Sequence, residues 1–420
     1  MQNPTPTIDP IILAALQGVR TIGELQEVWL AFASDLQGYT YLFACDEKSG
    51  RMHWPARQDF EGKAYLRSPF GRNSLFFVSN EILYRLANYQ EVYIPVNYSI
   101  GFDSNVASYL RQLIFGKNQG DVTLKFRKVL ADFCLRRFNW DTLPYLLENA
   151  HMLKEGKNLS EIWETILAEF LFSELNQEIF AKSQRIEFLD SDQATAIARA
   201  QDQLQHFDRA LKAGLHDQVE SQVNIFELIV LKIALLKRRS PSTSQAARNT
   251  ADLVEWMDSV LGAIVGVPLW AGVQYFLKSG AFKPLSKLGS SGERAYCCSR
   301  NLAWDIYHVY SRQQQCMTGS NGEIIVPYML TYDKGLADLF DGFPYVGCLV
   351  HVEYDFPLFI NDPNILNAIN AYFPENKRIT NMTDQYFNPE AMQRRRSRNH
   401  VFSPSDCARL LIEYKSTMAS

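Results

Sequence analysis

Three short segments place an aspartate where a carboxylate can do more than solvate a surface. Residues 98–105 (YSIGFDSN) run from an apolar, β-branched stretch into Asp103 and small polar residues, with a helical pattern beyond. Residues 328–336 (YMLTYDKGL) repeat that design around Asp333. An Asp so placed stands at the carboxyl end of a strand, where α/β folds collect their sites. It also stands where a carboxylate caps the next helix, and both readings are open for each residue. In residues 301–310 (NLAWDIYHVY), Asp305 sits inside an apolar helical pattern. A carboxylate there needs a partner, a metal ion or an exposed stripe. Rival chemistries lack their residues: there is no GxGxxG, GKS/GKT, HExxH or GxSxG pattern. The seven histidines are scattered, which argues against a zinc site.

These residues must be held by elements that the hydrophobic periodicity outlines. Residues 1–90 read as a separate mixed α+β unit: a helical pattern over 10–36, then short strands near 39–45, 64–66 and 74–78. From residue 91 a strand leads into Asp103, and helices follow over 105–115 and 121–138. Residues 141–240 are dominated by helical spacing, which resumes at 250 and again over 292–313. A strand over 323–330 precedes Asp333, whose segment opens a helix. The tail from 346 is loop-rich, with LVHVEYDFPLF as its best strand.

Taken together, GFDSN, AWDIYH and LTYDKGL resemble the acidic motifs of PIN-like nuclease domains, in order and in local context. The resemblance implies an α/β fold with a PIN-like parallel sheet flanked by helices over residues 91–345. The long span between Asp103 and Asp305 implies a large helical insertion at about 155–290, with residues 346–420 a C-terminal extension. The family also carries an acidic residue on a helix between the first two Asp. Glu148 (LPYLLENA) and Glu227 (NIFELIVLK) both fit, Glu148 better by position. The catalytic set implied is Asp103, Glu148 or Glu227, Asp305 and Asp333. Of these, Asp103, Glu148, Asp305 and Asp333 would be ligands of Mg²⁺ or Mn²⁺, and Asn105 and Thr331 would support them. Clustered carboxylates repel unless cations or protons lie between them, and hard oxygen donors suit those ions. The expected activity is metal-dependent endonucleolytic cleavage, RNA favoured over DNA, with a stress or defence toxin as the family-level role. The alternative is a catalytically inactive PIN-like RNA-binding or scaffold protein. A homo-oligomer or a regulatory partner is compatible with either.

Composition bounds the partners. Net charge is −4, so a uniformly basic nucleic-acid coat is excluded. One local basic run remains, residues 393–400 (QRRRSRNH). Its Arg394, Arg395, Arg396 and Arg398 are candidates for phosphate contact, or for a solvated tail. The seven cysteines form no CxxC pair, and the opening MQNPTPTIDP lacks the basic and apolar regions of a secretory leader. A cytoplasmic protein with reduced thiols is the expectation. Residues 259–277 (SVLGAIVGVPLWAGVQYFL) carry no charge and are long enough for a weak transmembrane candidate. Gly262, Gly266, Pro268 and Gly272 interrupt them, so we expect two buried helical turns broken at Pro268. A span there would also leave Asp103 and Glu148 across the bilayer from Asp305 and Asp333.

Overall fold

A computed structural model of the chain describes residues 8–47, 55–72, 74–92, 94–117, 120–134, 138–188, 190–289, 293–316, 323–351, 354–361, 364–397 and 402–419. Among the described residues nine strands form two sheets: β1 (Tyr39–Cys45), β2 (Arg57–Phe60), β3 (Ala64–Arg67), β4 (Ser74–Val78), β5 (Val96–Phe102), β6 (Asn139–Asp141), β7 (Ile324–Thr331), β8 (Tyr345–His351) and β9 (Tyr354–Asn361). The first sheet has the order β2-β3-β7-β5-β6. Its β6, β5 and β7 run parallel, and β3 and β2 extend it antiparallel beyond β7. The sheet is therefore mixed rather than wholly parallel. The sequence IIVPYMLT of β7 is apolar almost throughout and buried along nearly its whole length, as a strand covered on both faces requires.

The second sheet, β4-β1-β8-β9, is antiparallel. One face, with Tyr41, Phe43, Leu349 and Ile360, packs under the helices Pro10–Gly18 and Ile22–Ala31 through Leu16, Leu25 and Trp29. The other face, with Leu42, Ala44 and Cys348, joins the main core. The alternation along β1 assigns successive side chains to the two cores.

These pairings correct the expected domain boundaries. Residues 1–90 do not form a sheet of their own: β2 and β3 extend the site-bearing sheet, while β1 pairs with β8. Strand pairing thus crosses both residue 90 and residue 345. Between β6 and β7 the described residues contain helices and no strand, the longest helix being Leu215–Arg239. That helix packs against Glu293–Gln314 and Pro404–Ala419.

The uncharged 259–277 stretch falls in this helical layer. A π-helical turn, Met257–Leu261, ends at Gly262 with φ +68°, and a helix restarts at Gly266–Lys278 with Pro268 in its first turn. The interruption is thus at Gly262 rather than Pro268. A glycine adopts the left-handed conformation without penalty, whereas a proline in a first helical turn removes an N–H that has no partner there. No helix among the described residues is long and apolar enough to cross a membrane.

One buried acid lies in this layer. Glu169, on the helix Leu159–Ser173, is 5% exposed. Burial pushes its carboxyl up to about 8, against the Thr142 hydroxyl and reinforced by Asp141. An unfolded Glu ionises near its ordinary value, so the native state holds the extra proton between the two. Stability is then full at low pH and falls as pH rises toward about 8, by at most roughly 1.4 kcal/mol per unit. Glu169→Gln should leave stability unchanged at about pH 5 and raise it by a few kcal/mol at about pH 9. Urea melts at the two pH values check this, and an equal effect at both contradicts it.

Candidate functional site

The site is built where β5 and β7 end side by side. Phe102 pairs with Leu330 in the parallel register, so Asp103 and Thr331 leave the sheet as neighbours. Asp103 caps the helix Ser104–Ile114, its Oδ1 accepting from the Val106 amide at 2.8 Å. Its Oδ2 accepts from the Thr331 hydroxyl at 2.5 Å. The same hydroxyl oxygen accepts from the Asp333 amide at 2.9 Å. Thr331, fully buried, thus ties the two strand-end aspartates together. Asp333 in turn caps Lys334–Gly342, Oδ1 accepting from the Gly335 amide at 2.6 Å. Capping and clustering are therefore not alternatives here: each Asp uses one oxygen as a cap and sits in the acidic group as well.

Glu148, the last residue of the helix Leu143–Glu148, enters from the side. Its Oε2 accepts from the Ser104 hydroxyl at 2.6 Å and lies 3.7 Å from His308 Nε2. Asp305 and His308 are three residues apart on the helix Glu293–Gln314 and so share a face. Asp305 is half-buried, stands in mid-helix where no cap is needed, and makes no hydrogen bond or ion pair among the described residues.

The electrostatics follow from this crowding. Burial first, then the neighbouring Asp333, Glu148 and Asp103, raise the Asp305 carboxyl well above its ordinary range, with Lys287 opposing. Burial also raises Asp103, which the Thr331 hydroxyl and the Val106 amide partly offset. Burial works against ionisation of Glu148 too, but His308 and the Ser104 hydroxyl outweigh it and hold that carboxyl below the usual range. Without cations the group relieves its repulsion through a proton, and Asp305 is its natural seat.

The donors are hard oxygens with one imidazole, a set that suits Mg²⁺ or Mn²⁺. Among the described residues, however, no three His, Cys, Asp or Glu side chains stand close enough to hold one ion together. A cleft of about 470 Å³ opens beside Asp305 and Asp333.

Other expected residues lie elsewhere. Glu227 is bound into a separate network: Ser299 donates to it at 3.2 Å, and Arg300 and Lys415 pair with it at 3.3 and 2.7 Å. Its carboxylate is committed to joining three helices, which corrects its candidacy. Asn105 is exposed on the first turn of its helix, and it is Ser104 that reaches Glu148. Arg395 pairs with Asp258 at 3.1 Å, both largely buried, which removes it from the set available to phosphate. A buried Asp258 carboxylate needs that partner. Arg394 is exposed on the helix Pro389–Ser397, the Arg396 side chain is outside the described set, and Arg398 lies outside the described residues. Sequence reasoning missed His308 and Ser104. Their signals were present, a His one turn after Asp305 and a hydroxyl directly after Asp103.

The chain matches no protein-family model, no curated protein and no solved structure.

Proposed function

We propose that the chain is a metal-dependent endonuclease with a PIN-like site, acting on RNA in preference to DNA. The observation that carries this reading is Asp305: a mid-helix carboxylate with no hydrogen bond or ion pair among the described residues, within electrostatic reach of Asp333, Glu148 and Asp103. Left to itself such an arrangement is costly, and a ligand of opposite charge relieves the cost. Asp103, Glu148, Asp305 and Asp333 would hold Mg²⁺ or Mn²⁺, which when bound activates water and stabilises the leaving oxygen of a phosphodiester. The protein's own contribution is placement. Thr331 fixes the separation of the two strand-end aspartates, and Ser104 and His308 keep Glu148 ionised and oriented.

The second reading, a PIN-like nucleic-acid-binding protein without catalysis, is favoured by the spacing of the donors. A melt and a cleavage assay separate the two. In the nuclease, Mn²⁺ or Mg²⁺ at about a hundred times its Kd should stabilise the protein by about 2.7 kcal/mol. Single-stranded RNA should be cut only with the ion present and protected by a chelator. Neither stabilisation nor cleavage, with RNA still bound, selects the binding protein; stabilisation without cleavage removes the nuclease reading, and a chain that neither cleaves nor binds RNA removes both.

A further inference from the structure

The cleft beside the acidic group has a second wall of opposite charge. Lys283 and Lys287, both exposed, line it from the 3₁₀ segment Lys283–Gly289, facing Asp305 and Asp333 across about 470 Å³. The segment is not a loose loop. Leu285 and Leu288 are buried beneath it, and it packs against both Glu293–Gln314 and Lys334–Gly342, the two helices that position Asp305 and Asp333. The separation of the lysines from the carboxylates is therefore set by packing. Lys334 lines the cleft as well and pairs with Asp338 at 2.6 Å.

We propose that Lys283 and Lys287 form a phosphate cradle that seats a single-stranded nucleic acid, holding the phosphate next to the one presented to Asp305 and Asp333. This rests on the phosphodiester reading of the acidic group. Ammonium groups attract a phosphate as point charges and read no sequence. The volume holds roughly one or two nucleotides, so a strand enters and a paired duplex does not. Among the described residues no aromatic side chain lines the cleft. Stacking platforms are what give single-strand binders affinity beyond charge. Binding here should therefore be strongly salt-dependent and nearly indifferent to base composition.

The test is fluorescence anisotropy of the full chain with labelled single-stranded RNA and DNA of about ten nucleotides. A hairpin duplex is the comparison, in Ca²⁺ across about 50 to 200 mM salt. We expect the single strands to bind more tightly than the duplex. Lys283→Ala/Lys287→Ala should lower the slope of log K against log salt by about 1.4, two contacts at about 0.7 each, and weaken binding about tenfold or more. Lys157→Ala/Lys182→Ala, which removes two exposed charges elsewhere, should leave the slope unchanged. Cys298 lines the same cleft, so bound single strand should slow its alkylation, followed by mass spectrometry. No binding by the wild type, tighter binding of the duplex, or an unchanged slope in the Lys283/Lys287 variant each overturns the cradle. Binding of this kind without cleavage in Mn²⁺ removes the nuclease reading and keeps the cradle. Cleavage with an unchanged slope does the reverse.

Discussion

Asp305→Asn should abolish cleavage while making the metal-free protein more stable. The substitution keeps volume and shape and removes one charge from a residue that makes no hydrogen bond or ion pair among the described residues. In a cation site that charge holds the ion, so cleavage should fall roughly 10²–10⁴-fold. In the metal-free protein the same charge opposes Asp333, Glu148 and Asp103. The sign of the pH dependence follows. The folded carboxyl is held above its unfolded value, so stability is full at low pH and is lost as pH rises through the raised value. The Asn variant lacks that loss, and its melting temperature should exceed the wild type's at about pH 8 and meet it at about pH 4. Asp333→Asn is the companion. Asn caps a helix about as well as Asp, so the cap at Gly335 survives; activity should fall, and loss of the charge that opposes Asp305 should stabilise the metal-free protein at about pH 8. Thermal melts in chelator beside cleavage assays in Mn²⁺ give both readouts. A wild type that cleaves and an Asp305→Asn variant that keeps most of that activity would end the nuclease assignment to this group.

Arg312→Ala should be among the most destabilising single changes in the chain, about 3 kcal/mol, through the platform behind the site rather than the site itself. Arg312 is 1% exposed, and its Nη2 donates to Asp141 Oδ2 at 2.8 Å. Its guanidinium lies close to Gly101, where an added Cβ would come within 2.6 Å of it. The pair therefore joins Glu293–Gln314 to the ends of β5 and β6, two residues before Asp103. Truncation leaves Asp141 without its counter-charge beside the buried Glu169 and opens a void as well. Arg312 also carries two buried nitrogens, Nε and Nη1, without hydrogen-bond partners among the described residues. Replacing both members, as Arg312→Met with Asp141→Asn, should therefore recover much of the loss. Urea denaturation of the three variants measures it. A loss below about 1 kcal/mol in Arg312→Ala would mean that the Gly101–Arg312 contact does not hold the platform.

Much of the local grammar was legible. The strand–Asp–helix order at Asp103 and Asp333 depends on neighbours within a few residues: an apolar run, then a short polar side chain able to accept from the next helix's amides. The helical setting of Asp305 was readable for the same reason. The separation of Glu148 from Glu227 was not, because both are acids on helices and only the partners differ. Glu148 meets Ser104 and His308, whereas Glu227 meets Arg300 and Lys415, which lie far away along the chain. The Arg-rich run shows the same limit: composition marks it as basic, and only packing reveals that Arg395 answers Asp258.

By itself the sequence determined which segments become strands and helices around the site, and which carboxylates end them, since those outcomes rest on periodicity and capping over short distances. The tertiary structure alone decided the rest. It set β2 and β3 onto the edge of β7 and β1 onto β8, erasing the boundary expected at residue 90. It also brought Asp305, Asp333, Lys283 and Lys287 to one cleft. Edge pairing and charge convergence are long-range choices, made by whichever apolar faces and unpaired backbone groups remain to be satisfied once the local elements exist.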